Sequence, residues 1–182
     1  MAQQLFQPVS HAYLLSEHSL PHVTICQFDC ASDDEAHSLW NQIEKLILPF
    51  PIQFTGMSFI KGWGIHEEYY WAELSVARDH PLIEAHQKTA HFLQSKGYSC
   101  INDTGNLYRP HLTLARIKLP SFIPSWSDAI LKVPTSYFQY SLGRADSNGQ
   151  YIKILSQKNH ECAEQIALPS YDNNHCKISL LT

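Results

Sequence analysis

The sequence has no surplus of positive charge. Thirteen Lys and Arg stand against seventeen Asp and Glu, a net charge of −4 over 182 residues. A chain so balanced does not attract polynucleotide through its overall field, so a nucleic-acid substrate is expected to be a short piece or an end. The sequence also lacks any run of eighteen apolar residues, and Met1 to Ser10 contain neither a basic nor a long apolar stretch. No membrane span or secretory leader is expected. Five cysteines, Cys26, Cys30, Cys100, Cys162 and Cys176, are odd in number and include no Cys-x-x-Cys pair. That set fits reduced thiols in a soluble cytoplasmic protein better than a disulfide framework or a cysteine metal site. No feature points to an obligate protein partner.

What the sequence does contain is a pair of short stretches that echo each other. Pro21-His22-Val23-Thr24-Ile25 and Arg109-Pro110-His111-Leu112-Thr113-Leu114-Ala115-Arg116 each place His and Thr two residues apart, directly after a proline and among aliphatic residues. A shuffled chain of this composition would hold about 0.4 His-x-Thr triplets, so the two triplets gain their weight from the shared proline and strand-like context. In a strand, residues i and i+2 project from one face. Each stretch therefore aims an imidazole and a hydroxyl in a common direction.

The rest of the chain reads as a scaffold for these two strands, in one domain built as two lobes over residues 1–182. A strand is expected near His11 to Leu15, and the first motif strand runs from about His22 to Phe28. Ser32-Asp33-Asp34-Glu35 has capping-box spacing, and Ala36, Leu39, Trp40 and Ile43 recur as one apolar helix stripe that stops before Pro49 and Pro51. Ile52 to Ile60 and Tyr69 to Ala77 read as a hairpin turned near Lys61-Gly62-Trp63-Gly64. Asp79-His80-Pro81 opens a second helix that runs to about Lys96, with Gly97 as its cap. His86 and His91 on that helix are five apart, which is no ligand spacing, so they are expected to be solvated or half-buried. The second motif strand follows, about Tyr108 to Lys118, then a short helix near Ser127 to Leu131. Strands at Ser136 to Arg144, Gln150 to Ser156 and Cys176 to Leu181 complete the expectation.

Each half thus repeats motif strand, helix, strand, strand, with the two histidines 89 residues apart. A duplicated α+β unit would form two antiparallel sheets around a central cleft, with helices on the outer faces. His22, Thr24, His111 and Thr113 would line that cleft. Imidazole titrates near neutrality, so a facing pair can supply one base and one acid at the same pH. The hydroxyls can donate to the non-bridging oxygens of a phosphate, where charge builds in the transition state. Phosphodiester chemistry without a metal or other cofactor is the reaction such a cleft suits.

These residues resemble the two signature motifs of the 2H phosphoesterase superfamily. The stretch from Arg109 to Arg116 is similar to the second motif of its bacterial RNA 2′,3′-cyclic phosphodiesterase branch, also called 2′-5′ RNA ligases. The resemblance implies a bilobal α+β fold and hydrolysis of 2′,3′-cyclic phosphate on RNA or nucleotide ends to 2′-phosphate, with ligation as the possible reverse reaction. It implies His22 and His111 as the catalytic pair, Thr24 and Thr113 as phosphate ligands, and Arg116 as a further phosphate contact. Strict alternation points Arg116 away from His111, so a bulge or the strand end must turn it inward. One departure stands in the first motif: that branch carries an aromatic five residues after its His, where this chain has Gln27, with Phe28 one later.

For substrate binding, Tyr108 is the first candidate by its place beside the motif, with Trp63, Tyr69, Tyr70 and Trp71 as other aromatics on which a base could stack. Arg109 could serve phosphate or a neighbouring carboxylate. Two other readings use the same residues: cleavage of 2′-5′ oligoadenylates or another cyclic nucleotide, and a non-catalytic module that binds RNA ends or phosphate.

Overall fold

Local chemistry places the helices. Ser32 caps the helix α2 (Asp33–Ile43), its hydroxyl accepting from the Glu35 amide, and Ala36, Leu39, Trp40 and Ile43 form its buried stripe. Asp79 caps α3 (His80–Ser95) through the Leu82 amide, with Pro81 in the first turn. Gly97 ends it in the left-handed region, at φ 89°. A short α1 (Ala2–Phe6), not foreseen from the sequence, buries Phe6. The computed structural model describes residues 2–16, 20–48, 50–118, 136–137, 139–146, 149–158 and 175–181. The helix expected at Ser127 to Leu131 lies outside them.

Among the described residues ten strands, where eight were expected, run in the expected order: β1 (Ser10–Leu14), β2 (His22–Asp29), β3 (Pro51–Ile52), β4 (Phe54–Lys61), β5 (Tyr70–Val76), β6 (His111–Ile117), β7 (Ser136–Tyr137), β8 (Gln139–Ala145), β9 (Tyr151–Gln157) and β10 (His175–Leu181). They form two four-stranded antiparallel sheets, ordered β1-β6-β5-β4 and β2-β10-β8-β9, and a two-stranded pair β3-β7. The fold is α+β. Each motif strand is exchanged: β2, from the first half, pairs within the sheet made by the second half, and β6 pairs with the β4-β5 hairpin of the first. The exchange ties the halves together through main-chain hydrogen bonds. Helix α3 packs on β2, and the core runs from Ile25 and Phe28 through Trp40, Leu82 and Leu93 to Leu114.

Among the described residues no helix is long and apolar enough to cross a membrane. Two expectations need correction. Cys30 is disulfide-bonded, whereas Cys26 and Cys100 are free thiols, so the cysteines are not all reduced. Spacing along a chain does not reveal which thiols the fold brings together. His86 is neither solvated nor half-buried: it is 1 % exposed. It stands on the stripe Leu82, Ala85, His86, Thr89, Leu93 that α3 turns inward.

Candidate active site

The two motif strands are built alike in their backbone. In each, the imidazole Nδ1 meets the carbonyl two residues upstream, on the far side of the proline: His22 Nδ1 to Leu20 O at 2.7 Å and His111 Nδ1 to Arg109 O at 2.8 Å. A carbonyl only accepts, so Nδ1 carries a hydrogen in both rings. Proline fixes φ and keeps the preceding residue extended, which holds that carbonyl beside the ring. The protonation state that can change is then that of Nε2.

Each strand next contains one extra residue. Between the pairs Thr24 to Ser179 and Cys26 to Ile178, Ile25 has no opposite number; between Thr113 to Glu73 and Ala115 to Ala72, Leu114 has none. Two consecutive residues therefore point into the core in each strand, Ile25 with Cys26 and Leu114 with Ala115. The alternation reverses phase, as a β-bulge requires. It returns Gln27 to the side of His22 and Thr24, and Arg116 to the side of His111 and Thr113. The geometric need to turn Arg116 is met by this bulge.

A bulge residue leaves its carbonyl outside the regular ladder, and buried carbonyls need donors. The Leu114 carbonyl accepts from the Leu15 amide at 2.7 Å, and the Ile25 carbonyl accepts from His86 Nδ1 at 2.8 Å. That bond explains a buried histidine on α3. The Tyr108 ring stacks on His86, centroids 3.8 Å apart and planes 1° apart, while its hydroxyl donates to the Thr24 carbonyl at 2.8 Å. Tyr108 thus ties the approach to the second motif to the backbone of the first. Burial holds the His86 pKa below its ordinary 6.5, with the Arg78 cation acting in the same direction.

His22, Thr24, His111 and Thr113 open onto one cavity of about 620 Å³, a size suited to a nucleotide or dinucleotide. The proposed aromatics divide there. Trp63 and Trp71 line the cavity; Tyr69 and Tyr70 do not. Tyr108 contributes only an edge, being 2 % exposed with its ring and hydroxyl already engaged. Arg116 is set back from the wall: its guanidinium lies over Tyr69 and Trp71 and donates to the His11 carbonyl at 3.1 Å, and its Nη1 is 3.0 Å from His66 Nδ1. No family model, curated protein or solved structure matches the chain.

Several other lining residues escaped the sequence reading. Beside the foreseen Trp63, 76 % exposed, the β4-β5 turn carries Ile65 and His66 into the cavity rim. It closes only because residue 62 is glycine: a Cβ there would stand 2.2 Å from the His66 carbonyl oxygen. On the other sheet the Tyr151 ring packs against His22, centroids 5.3 Å apart. Its hydroxyl donates to Ser141 Oγ at 2.9 Å, and Gly143 makes room, since a Cβ would lie 2.4 Å from that ring. Glu73 belongs to the cavity wall as well, 2 % exposed and paired through its carboxylate with Arg109. Arg109 therefore serves a carboxylate, the second of the two uses foreseen for it. Among the described residues no cluster of three His, Cys, Asp or Glu is arranged to hold a metal ion.

Proposed function

We propose that this chain is a phosphodiesterase that opens 2′,3′-cyclic phosphate at RNA or nucleotide ends to 2′-phosphate, with His22 and His111 as its acid/base pair and no metal in the step. The observation that carries this reading is the convergence of two separate Pro-His-x-Thr strands on one cavity, with both imidazoles oriented by the same Nδ1 contact. Two rings held this way can exchange protons through Nε2 on either side of a phosphorus atom. Thr24 and Thr113, two residues along from the histidines, place a hydroxyl beside each for the non-bridging oxygens. The resemblance to 2H phosphoesterases supports the same assignment. A short end suits the net negative charge, and exposed Trp63 offers a face for its base.

The test is incubation of the purified chain, in chelator, with a 2′,3′-cyclic-phosphate-terminated oligonucleotide and with a 2′-5′ oligoadenylate. Conversion of the cyclic end to a 2′-phosphate, lost in His111→Ala, is the expected result. Cleavage of the oligoadenylate alone would move the substrate and keep the chemistry. Tight binding of either without turnover would make the cleft a binding module, and activity lost in chelator and restored by a divalent ion would overturn the metal-free step.

A further inference from the structure

Two histidines on similar strands leave open which gives the proton and which takes it. The surroundings of His111 break that symmetry. Its Nε2 lies 3.4 Å from Glu73 Oε1. Glu73 sits on β5 in register with Thr113, and its side chain is 3 % exposed. Arg109 Nη1 donates to Glu73 Oε2 and Nη2 is 3.4 Å from Oε1, so the buried carboxylate is paired with the guanidinium of a side chain that is 45 % exposed. Nδ1 of His111 already carries a hydrogen toward the Arg109 carbonyl. A lone pair on Nε2 would face a carboxylate oxygen and be repelled; a proton there is attracted.

We infer that Glu73 is a positioning residue that holds His111 as imidazolium, making His111 the proton donor to the leaving oxygen and His22 the base. The catalytic meaning rests on the phosphodiesterase reading. In the step, His22 Nε2 takes a proton from water as its oxygen bonds to phosphorus. The bond from phosphorus to the 3′ oxygen breaks, and His111 Nε2 protonates that oxygen. The products are a 2′-phosphate and a 3′-hydroxyl, with His22 charged and His111 neutral until solvent exchange resets them. Arg109 has a second effect: it offsets the Glu73 charge, so an incoming phosphate meets an imidazolium beside a neutral pair. The other ionisable groups lining the cavity are His22, His66, Asp103 and Tyr108.

The experiment is an NMR titration of the full chain labelled at histidine Cε1, which needs no substrate. Glu73→Gln is expected to lower the His111 pKa by about 1 or more, the size of an opposite charge at this distance, and to leave His22 in place. Arg109→Gln is expected to raise it. Opposite signs separate a charge effect from a packing effect. In turnover, Glu73→Gln should move the alkaline limb of the pH profile down by the same amount, with Glu73→Asp restoring part of it. An unmoved His111, or the same sign in both variants, overturns the inference. Where Glu73→Gln does not fold, Arg109→Gln decides alone, a rise supporting and any other result refuting. A chain with the expected titrations that opens no phosphodiester loses the phosphodiesterase reading and retains the Glu73 to His111 coupling. A His111-dependent cyclic phosphodiesterase without those shifts does the reverse.

Discussion

The strands β2 and β6 have one backbone design and two electrical environments. Both begin with proline, bond the ring Nδ1 to the carbonyl before it, and insert one extra residue just after the threonine. They part company in what faces the imidazole. His22 lies against the Tyr151 ring, His111 against the Glu73 carboxylate and the arginine paired with it. They differ again past the bulge, where β2 presents Gln27 and β6 presents Arg116. A repeated backbone can therefore supply two equivalent mounts while the neighbouring strands give them unequal surroundings, which is what the proposed acid and base catalysis at one pH requires.

The hardest blow to either mount is removal of its ring. His22→Ala and His111→Ala are each expected to lower kcat by roughly 100-fold to 10,000-fold with an unchanged circular dichroism spectrum. A variant close to the wild-type rate would remove its strand from the mechanism and end the comparison. Next come the hydroxyls: Thr24→Val and Thr113→Val should each cost about 10-fold to 100-fold in kcat/KM, the worth of a hydrogen bond to a charged oxygen. Wild-type kinetics in both would mean that neither hydroxyl touches phosphate.

A smaller effect bears on the difference beyond the bulges. Arg116→Gln makes β6 resemble β2 there and should raise KM by about 10-fold through loss of a cation near the cavity. Gln27→Ala should change KM by less than about threefold. Equal losses in steady-state kinetics would show that the two positions are interchangeable. The smallest effect concerns the support of β2. A histidine whose folded pKa is depressed binds fewer protons folded than unfolded, so its contribution is full above its ordinary pKa of 6.5 and declines as pH falls below it. Thermal melts from pH 7.5 to 5.5 should show His86→Gln losing less of its Tm than the wild type, by on the order of a few degrees. Identical losses would mean that His86 charges as freely folded as unfolded.

How legible these features were depends on how local they are. Capping of α2 and α3 is a matter of four adjacent residues, and Ser32 and Asp79 declare it. The His-x-Thr pairs are legible because a strand repeats every two residues, and the proline before each marks the mount without showing what it holds. His86 was readable in principle from its place on the apolar stripe of α3, but ligand spacing was the wrong question to put to it. Trp71 and Glu73 alternate toward the cavity on β5, so a buried acid could have been suspected. That Arg109 is its partner could not, because the two are 36 residues apart and meet only through the β5-β6 pairing.

By itself the sequence determined the α+β class, the order of the main strands and of the two longer helices α2 and α3, and the two motif strands with their inward His and Thr. Each follows from steric and hydrogen-bonding preferences that act over a few residues. Only the tertiary structure decided that the motif strands are exchanged between the sheets, that both bulge after threonine, that Cys30 is disulfide-bonded, and that His111 is placed beside Glu73. Those features depend on which segments distant in the chain lie next to each other. Pairing energies between strands are similar for many registers, and the choice among them is made by burying the whole core at once.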